Sequence, residues 1–277
     1  MVSSGRGSAP QSGAPSAGSL AVTWLGHATT LIELDGVRVL TDPILRNRVG
    51  PLRRVAARVD HAALQGLDAV LISHLHADHT DPASLRMLGA PRLLAPRGAR
   101  RWLARRGIGD VEELAPGEHT ELAGLTVRAT PAVHDRRRWP LGVSAQPIGA
   151  VLKGSGSCYF AGDTDLYPAM GELAGAIDLA LLPVWGWGSD VGPGHLDPAR
   201  AASAVRLIAP RVVVPVHWGT LALAWRVRHE ADAALPPRRF SELVRRVAPE
   251  VEVRVLAPGE RTELVSRSRS AGEIEPS

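Results

Sequence analysis

His74-Leu75-His76-Ala77-Asp78-His79 places three imidazoles and a carboxylate within six residues. The apolar run Ala69-Val70-Leu71-Ile72 leads into it, and Thr80-Asp81-Pro82 follows. The run reads as a buried strand, and Asp-Pro as a helix start. The stretch therefore lies on a short connection at a strand end. Neutral imidazole and carboxylate are the usual nitrogen and oxygen ligands of zinc and similar divalent ions. One histidine there would read as an ordinary hydrogen-bonded residue. Four liganding side chains in the pattern His-x-His-x-Asp-His read as a metal site.

Upstream, residues 21–34 are rich in Thr, Val and Ile and read as one or two strands broken near Gly26-His27. Asp35-Gly36 is a two-residue hairpin signal with a return strand over 37–40. Residues 44–65 are arginine-rich and read as a loop with a short helix. Downstream, the pattern predicts a helix over 82–88, a strand over 92–95 and a helix over 98–106 closed by Gly107. Strands follow at 111–114, 119–122 and 125–130, then at 148–152 and 157–161 around the turn Gly154-Ser155-Gly156. A short helix at 168–173, a strand at 178–182 and a helix from Asp197-Pro198 to about 208 come next. A strand at 211–214, a helix at 237–247 and a last strand at 251–256 complete the set. Strands arrive in runs with helices between the runs, which predicts an α/β (α+β) chain of two sheets with helices outside.

Four more polar residues sit as the opening stretch does, just past an apolar strand: His134, Asp163, His195 and His217. Such positions are where sites are usually built. Singly, His134 or His217 reads as a hydrogen-bonded strand-end residue. Together they complete a count. A two-metal centre needs about three protein ligands per ion, often with a bridging carboxylate and a bridging hydroxide. The opening stretch supplies four groups, and His134, Asp163 and His217 fill the set. His61, His119 and His229 lie in polar or helical contexts and read as surface residues.

Composition sets the outer bounds. The 277 residues are 45% hydrophobic and 22% charged, ordinary for a soluble globular protein of one large domain or two fused halves. The net charge is +4, carried by arginines scattered along the chain, with Lys153 the sole lysine. The densest runs, Arg136-Arg137-Arg138 and Arg100-Arg101, are short, and no nucleic-acid partner is expected. Cys158 is the single cysteine, which excludes an intrachain disulfide and a cysteine-based zinc site. No run is long and apolar enough to span a bilayer. Residues 1–20 are rich in Ser, Gly, Ala and Pro without an apolar centre, and read as a disordered leader rather than a signal. Residues 266–277 read as a disordered tail, residues 21–265 as the folded domain, and the expected location is cytoplasmic.

Five motifs now stand in order: Trp24-Leu25-Gly26-His27-Ala28-Thr29, Leu40-Thr41-Asp42-Pro43, the His74–His79 stretch, Phe160-Ala161-Gly162-Asp163-Thr164 and Pro215-Val216-His217-Trp218-Gly219-Thr220. This set resembles the metallo-β-lactamase superfamily, and most of all its branch of N-acyl phosphatidylethanolamine phospholipase D and ascorbate-phosphate lactonase-like proteins. The resemblance runs from about residue 21 to 264. It implies a four-layer αββα sandwich with the site at one edge between the sheets. It implies two divalent ions, zinc with manganese or iron as alternatives, one held by His74, His76 and His134. The other would be held by Asp78, His79 and His217, with Asp163 between them. His27 and Asp42 would orient ligands. Asp78 would also orient a metal-bridging hydroxide, and His195 would donate to the substrate or leaving group. Diiron relatives of the fold carry Glu where this chain has His76, which favours a hydrolytic centre.

The expected function is hydrolysis of a phosphodiester, phospholipase D-like, on a small-molecule or lipid-like substrate. Lactone, ester or amide hydrolysis is the alternative on the same fold. A non-catalytic metal-binding regulatory protein is the alternative of another class, and such a protein is expected to lose ligands. Trp185-Gly186-Trp187 stands where the phospholipase has a Gly-Ala-Tyr type of sequence. Trp185 and Trp187 are expected to form an apolar wall of the substrate pocket, with simple loop packing as the plainer alternative.

Overall fold

The computed structural model describes residues 18–89, 91–138, 142–186, 192–223 and 234–265. The chain opens as an antiparallel meander of β1 (Ser19–Gly26), β2 (Thr29–Leu34) and β3 (Val37–Thr41). Asp35 and Gly36 turn the hairpin with φ of 51° and 85°, the left-handed pair that a two-residue connection needs. After the small hairpin of β4 (Arg48–Val49) and β5 (Leu52–Arg54), β6 (Ala69–Leu71) adds parallel to β3. Helices α1 (Pro82–Met87) and α2 (Arg100–Ala104) then alternate with the parallel strands β7 (Arg92–Pro96) and β8 (Val111–Leu114).

The second sheet repeats this plan. β9 (His119–Leu122), β10 (Leu125–Pro131), β13 (Ile148–Lys153) and β14 (Ser157–Phe160) pair antiparallel. The short hairpin of β11 (Arg137–Arg138) and β12 (Val143–Ser144) stands between β10 and β13. β15 (Leu179–Pro183), β16 (Val212–Val216) and β18 (Glu252–Val253) continue in parallel, with α3 (Pro198–Ile208) and α4 (Leu235–Val247) in the connections. β17 (Leu221–Leu223) crosses to pair with β5, and β19 (Arg261–Val265) returns to the first sheet beside β1. The two seven-stranded sheets therefore run β19-β1-β2-β3-β6-β7-β8 and β18-β16-β15-β14-β13-β10-β9.

Three cores make this a four-layer αββα sandwich, the architecture of the metallo-β-lactamase fold. Between the sheets, Trp24, Ile32 and Leu71 meet Val127, Phe160 and Val214. Outside the first sheet, Leu40, Val70 and Ile72 pack on Leu85, Trp102 and Leu103. Outside the second, Tyr159, Leu182 and Val213 pack on Val205, Phe240 and Val244. Strands covered on both faces are apolar at every position, which is why β6 and β16 are buried throughout. Helix α4 buries Phe240 and Val244, four residues apart on one face, and turns Arg238, Arg239, Arg245 and Arg246 outward. Phe240→Ala would cost about 3–5 kcal/mol.

Several elements differ from the sequence expectation. The expected last strand at 251–256 shrinks to Glu252–Val253, because the chain then turns through Gly259 at φ 92°. The strand that follows, Arg261–Val265, closes the sheet against β1. Residues 44–65 hold β4 and β5 as well as a single 3-10 turn, His61–Leu64. Helix α2 is shorter than expected, with Gly107 past its end at φ 74°. The 168–173 helix is 3-10 in form. β1 starts at Ser19, inside the stretch read as leader, while residues 1–17 and 266–277 lie outside the described residues. Among the described residues no helix is long and apolar enough to cross a membrane.

Candidate metal centre

The parallel and antiparallel halves of each sheet meet at its middle strand, β3 in one and β14 in the other, and the candidate residues follow the ends of these strands and their neighbours. Asp42 follows β3, His74 and its neighbours follow β6, His134 follows β10, Asp163 follows β14 and His217 follows β16. His27 lies in the turn between β1 and β2. His27, Asp42 and His217 hold left-handed backbone, with φ of 54°, 34° and 64°. Each costs of order 1–3 kcal/mol and persists because its surroundings fix it. Here the fixing bonds are His27 N–H to Thr220 Oγ1 (2.7 Å), Asp42 N–H to Leu71 O (2.9 Å) and His217 N–H to His27 O (2.9 Å).

The imidazoles are oriented from behind. His217 Nδ1 lies 2.5 Å from Trp185 O, His134 Nδ1 2.7 Å from Gly194 O, and His76 Nε2 3.0 Å from Arg137 O. A carbonyl oxygen only accepts, so each of those nitrogens carries the ring proton. His79 Nδ1 donates to the Asp42 carboxylate at 2.7 Å. Ser73 Oγ donates to Asp42 Oδ2 at 2.5 Å and so accepts from His74 Nδ1 at 2.9 Å. In each neutral ring the inward nitrogen is left with a bare lone pair.

Those lone pairs converge. His79 Nε2 and His217 Nε2 are 3.0 Å apart, and His76 Nδ1 and His134 Nε2 2.9 Å. Asp163 Oδ2 lies 3.1 Å from His79 Nε2 and 3.2 Å from His217 Nε2, with Asp78 Oδ2 at 3.8 and 3.9 Å from the same nitrogens. His74 Nε2 and Asp163 Oδ1 are buried without any hydrogen-bond partner. Two ligands about 2.0–2.1 Å from one tetrahedral ion sit roughly 3.3 Å apart. The spacing fits donors gathered for cations. Within mutual reach are His74, His76 and His134, then His27, Asp78, His79 and His217, and also His134, Asp163 and His195. The donor set of imidazole nitrogen and carboxylate oxygen suits zinc, manganese or iron.

Electrostatics agree with that fit. Burial alone would raise Asp163 and Asp78, but the facing histidines overcome it and hold both carboxyls well below the usual range. Burial works against a charge on His79, yet Asp163 and Asp78 outweigh it and push that ring well above its ordinary value, so a cation at His79 Nε2 would take the place of a proton there. Burial and neighbouring imidazoles drive His74 well below normal. Burial is the leading cause of the drop in His134 to about 4 and in His27 to about 3. His27 Nε2 donates to Asp78 Oδ2 at 3.1 Å.

The structure thus brings His74, His76, Asp78, His79, His134, Asp163 and His217 to one place, with His27 and Asp42 directly behind. His195 stands at its rim with a quarter of its side chain exposed and Nε2 3.6 Å from Asp163. Trp185 is half-buried and its carbonyl holds His217, while Trp187 lies outside the described residues. Sequence reasoning missed Ser73, whose only signal is its place at the strand end before His74. It also missed Arg138, which is buried and donates to Leu75 O and Thr80 O.

The family described as beta-lactamase superfamily domain matches residues 37–218, from β3 to the residue after His217. A metal-dependent hydrolase of Methanopyrus kandleri is 34% identical over 250 residues, covering 87% of this chain and 99% of that protein. The chain belongs to the beta-lactamase superfamily. This superfamily member is a metal-dependent hydrolase, and its His/Asp cluster has the donors to bind metal. A Caenorhabditis elegans protein named N-acyl-phosphatidylethanolamine-hydrolyzing phospholipase D 1 is 31% identical over 231 residues, which span 73% of this chain and 64% of that enzyme. A solved metallo hydrolase of Ignicoccus hospitalis superposes with a TM-score of 0.69 at 25% identity, covering 89% of this chain and 98% of that one.

Proposed function

We propose that this hydrolase is binuclear and cleaves phosphodiesters of small or lipid-like substrates. His74, His76 and His134 hold one ion, Asp78, His79 and His217 the other, and Asp163 lies between them. The observation that carries this is the convergence of inward lone pairs, already described, on a carboxylate with a free oxygen. Divalent ions there supply activation of a water and neutralisation of charge on the phosphoryl group.

The chain's own residues do the rest. Asp78, steadied by His27, is placed to orient the attacking water and take its proton. His195 Nδ1 lies 3.2 Å from Pro193 O, so Nε2 faces the centre without a proton. Open to solvent at the rim, it takes its proton from bulk water and passes it to the leaving group, while Asp78 keeps the proton of the attacking water. Past Asp135, the exposed Arg136 and Arg137 lie close after His134 in the chain and favour an anionic substrate. The named activity of the worm relative points the same way. Trp185, at the end of β15, is placed to contribute an apolar wall. The second reading, lactone, ester or amide hydrolysis, uses the same groups and differs only in the pocket.

The test is metal analysis of purified protein beside turnover of bis-p-nitrophenyl phosphate and a lactone panel. About two ions per chain and phosphodiester cleavage are expected, and His76→Ala, Asp163→Ala and His217→Ala should lose both. Wild type that retains no metal and is not activated by zinc or manganese refutes the centre. Faster turnover of a lactone refutes the substrate class.

A further inference from the structure

Two arginines, Arg54 and Arg138, are buried among the described residues, at 7% and 9% exposure. A buried guanidinium is costly unless its donors are satisfied. Neither makes an ion pair with a carboxylate among the described residues. Most of their donors go instead to main-chain carbonyls of the segments that carry the candidate centre; Arg54 Nη1 also reaches Ala57 O at 3.4 Å, and Arg54 Nε is left without a partner among the described residues. Arg138 Nη1 donates to Leu75 O and to Thr80 O, the latter at 3.1 Å. Those carbonyls bracket His76, Asp78 and His79. The Arg138 guanidinium also stacks on Trp102, its carbon 4.3 Å from the ring centroid, with Arg106 at 3.8 Å from the same ring.

Arg54 acts from the opposite flank. Its Nη1 donates to Leu25 O at 3.1 Å and its Nη2 to Ile44 O at 2.6 Å. Leu25 lies two residues before His27, and Ile44 two residues after Asp42. Leu25 sits where the β1–β2 register shifts between Trp24 and Gly26, and Ile44 lies past the end of β3, so both carbonyls need partners from elsewhere. A planar fork can serve two carbonyls at once, which a lysine ammonium on a flexible stem does less well.

We propose that Arg138 and Arg54 are positioning residues of the metal centre, each fixing two ligand-bearing or ligand-orienting points through backbone carbonyls. This rests on the proposed metal centre. Arg138 sets the spacing of His76, Asp78 and His79, and Arg54 sets His27 against Asp42. Neither touches substrate or ion. The motif His74–His79 therefore depends on a residue about sixty positions away, through Leu75 O and Thr80 O.

The test uses the full chain with Arg138→Met, Arg138→Lys and Arg54→Met. Hydrogen–deuterium exchange is followed on metal-free protein, and zinc affinity by competition with a chelator. In Arg138→Met, exchange should rise at least tenfold over residues 74–80 with the outer helices unchanged. Zinc affinity should fall about 10–100-fold. Arg54→Met should do the same over 25–29 and 41–45, and Arg138→Lys should recover part of the loss. Exchange that rises everywhere alike, or zinc affinity equal to wild type in folded variants, overturns the proposal. If Arg138→Met does not fold, Arg138→Lys and Trp102→Leu decide it by the same two readouts. If wild type takes up neither zinc nor manganese, the metal centre is refuted, and the exchange pattern alone decides whether the arginines hold the loops.

Discussion

Asp42→Asn separates shape from charge at the point where both ligand sets are anchored. The Asp42 carboxylate is fully buried and accepts from His79 Nδ1 (2.7 Å), Ser73 Oγ (2.5 Å) and Ser73 N (2.7 Å). Through Ser73 Oγ it also sets His74. Asparagine keeps the outline and replaces one acceptor with a donor. With the amide nitrogen at the Oδ2 position, it opposes His79 and Ser73 Oγ. With the nitrogen at the Oδ1 position, it opposes the Ser73 N–H. A hydrogen bond to a charged group contributes about 1.5–3 kcal/mol. Loss of a partner behind a ligand usually costs about 10–100-fold in metal affinity or activity. Two rings are affected, one for each ion, so each ion should bind about 10–100-fold more weakly and the product of the two constants should fall roughly 10²–10⁴-fold. Chelator competition with stoichiometry, beside kcat on bis-p-nitrophenyl phosphate, reads this out. Ser73→Ala cuts only the His74 branch and should weaken one ion by about 10–100-fold. An Asp42→Asn protein within threefold of wild type in affinity and kcat refutes the anchoring role, and a silent Ser73→Ala refutes the relay.

His195→Ala should keep its metal and lose about 10²–10⁴-fold in kcat, read by metal analysis and turnover on the same sample. Asp81→Ala removes the cap of α1, which accepts from Ser84 N, and a bidentate pair with Arg46 at 2.8 Å. Because Arg46 is 43% exposed, the pair is discounted and the total is about 1–2 kcal/mol, a Tm drop of a few degrees. Burial would raise the Asp81 carboxyl, but Arg46 and Ser84 overcome it and lower it. A folded-state value below the unfolded one means that this contribution is complete above about pH 4 and is lost as pH falls through the folded value. The Tm gap between wild type and Asp81→Ala should therefore close on acidification. Gly162→Ala should cost about 2–5 kcal/mol by chemical denaturation, since φ is +61° and the new Cβ would lie 2.6 Å from Ser73 Cβ.

Most of the fold was legible because period-2 and continuous apolar runs mark strands whatever their partners. Asp35-Gly36 and Asp197-Pro198 carry turn and cap chemistry in the residues themselves, and both behave accordingly. β4, β5 and β17 are two or three residues long, too short for any periodicity to register, and β4 and β5 carry arginines as well. β19 is hidden for another reason. Its sequence, Arg-Thr-Glu-Leu-Val, is that of an edge strand, half polar and decided by its partner β1. At the site, the metal-type residues were legible because imidazole and carboxylate at strand ends have few other uses in such numbers. Ser73, Arg54 and Arg138 were not, since their work is done on backbone carbonyls and neighbouring rings that only the tertiary fold brings near.

The same fact explains how the loops can be held so close. The bare nitrogens of His76 and His134 repel at 2.9 Å, and three left-handed residues add backbone strain. Within the loops the bonds that act against this are short-range, such as those from His79 N–H and Thr80 N–H to His76 O and from Thr80 Oγ1 to His74 O. The offset comes from outside them, in Thr220 under His27, Asp42 under His79 and His74, and carbonyls of Trp185, Gly194 and Arg137 under His217, His134 and His76. Those partners belong to other segments from both halves of the sandwich, themselves fixed by cores that contain none of the centre's histidines. Gathering the ligands therefore draws on packing that is complete without an ion. That separates this centre from small zinc domains, in which the metal is itself the core. It also places the sensitive positions one layer behind the ligands, where a substitution leaves every donor in the sequence and still disperses the site.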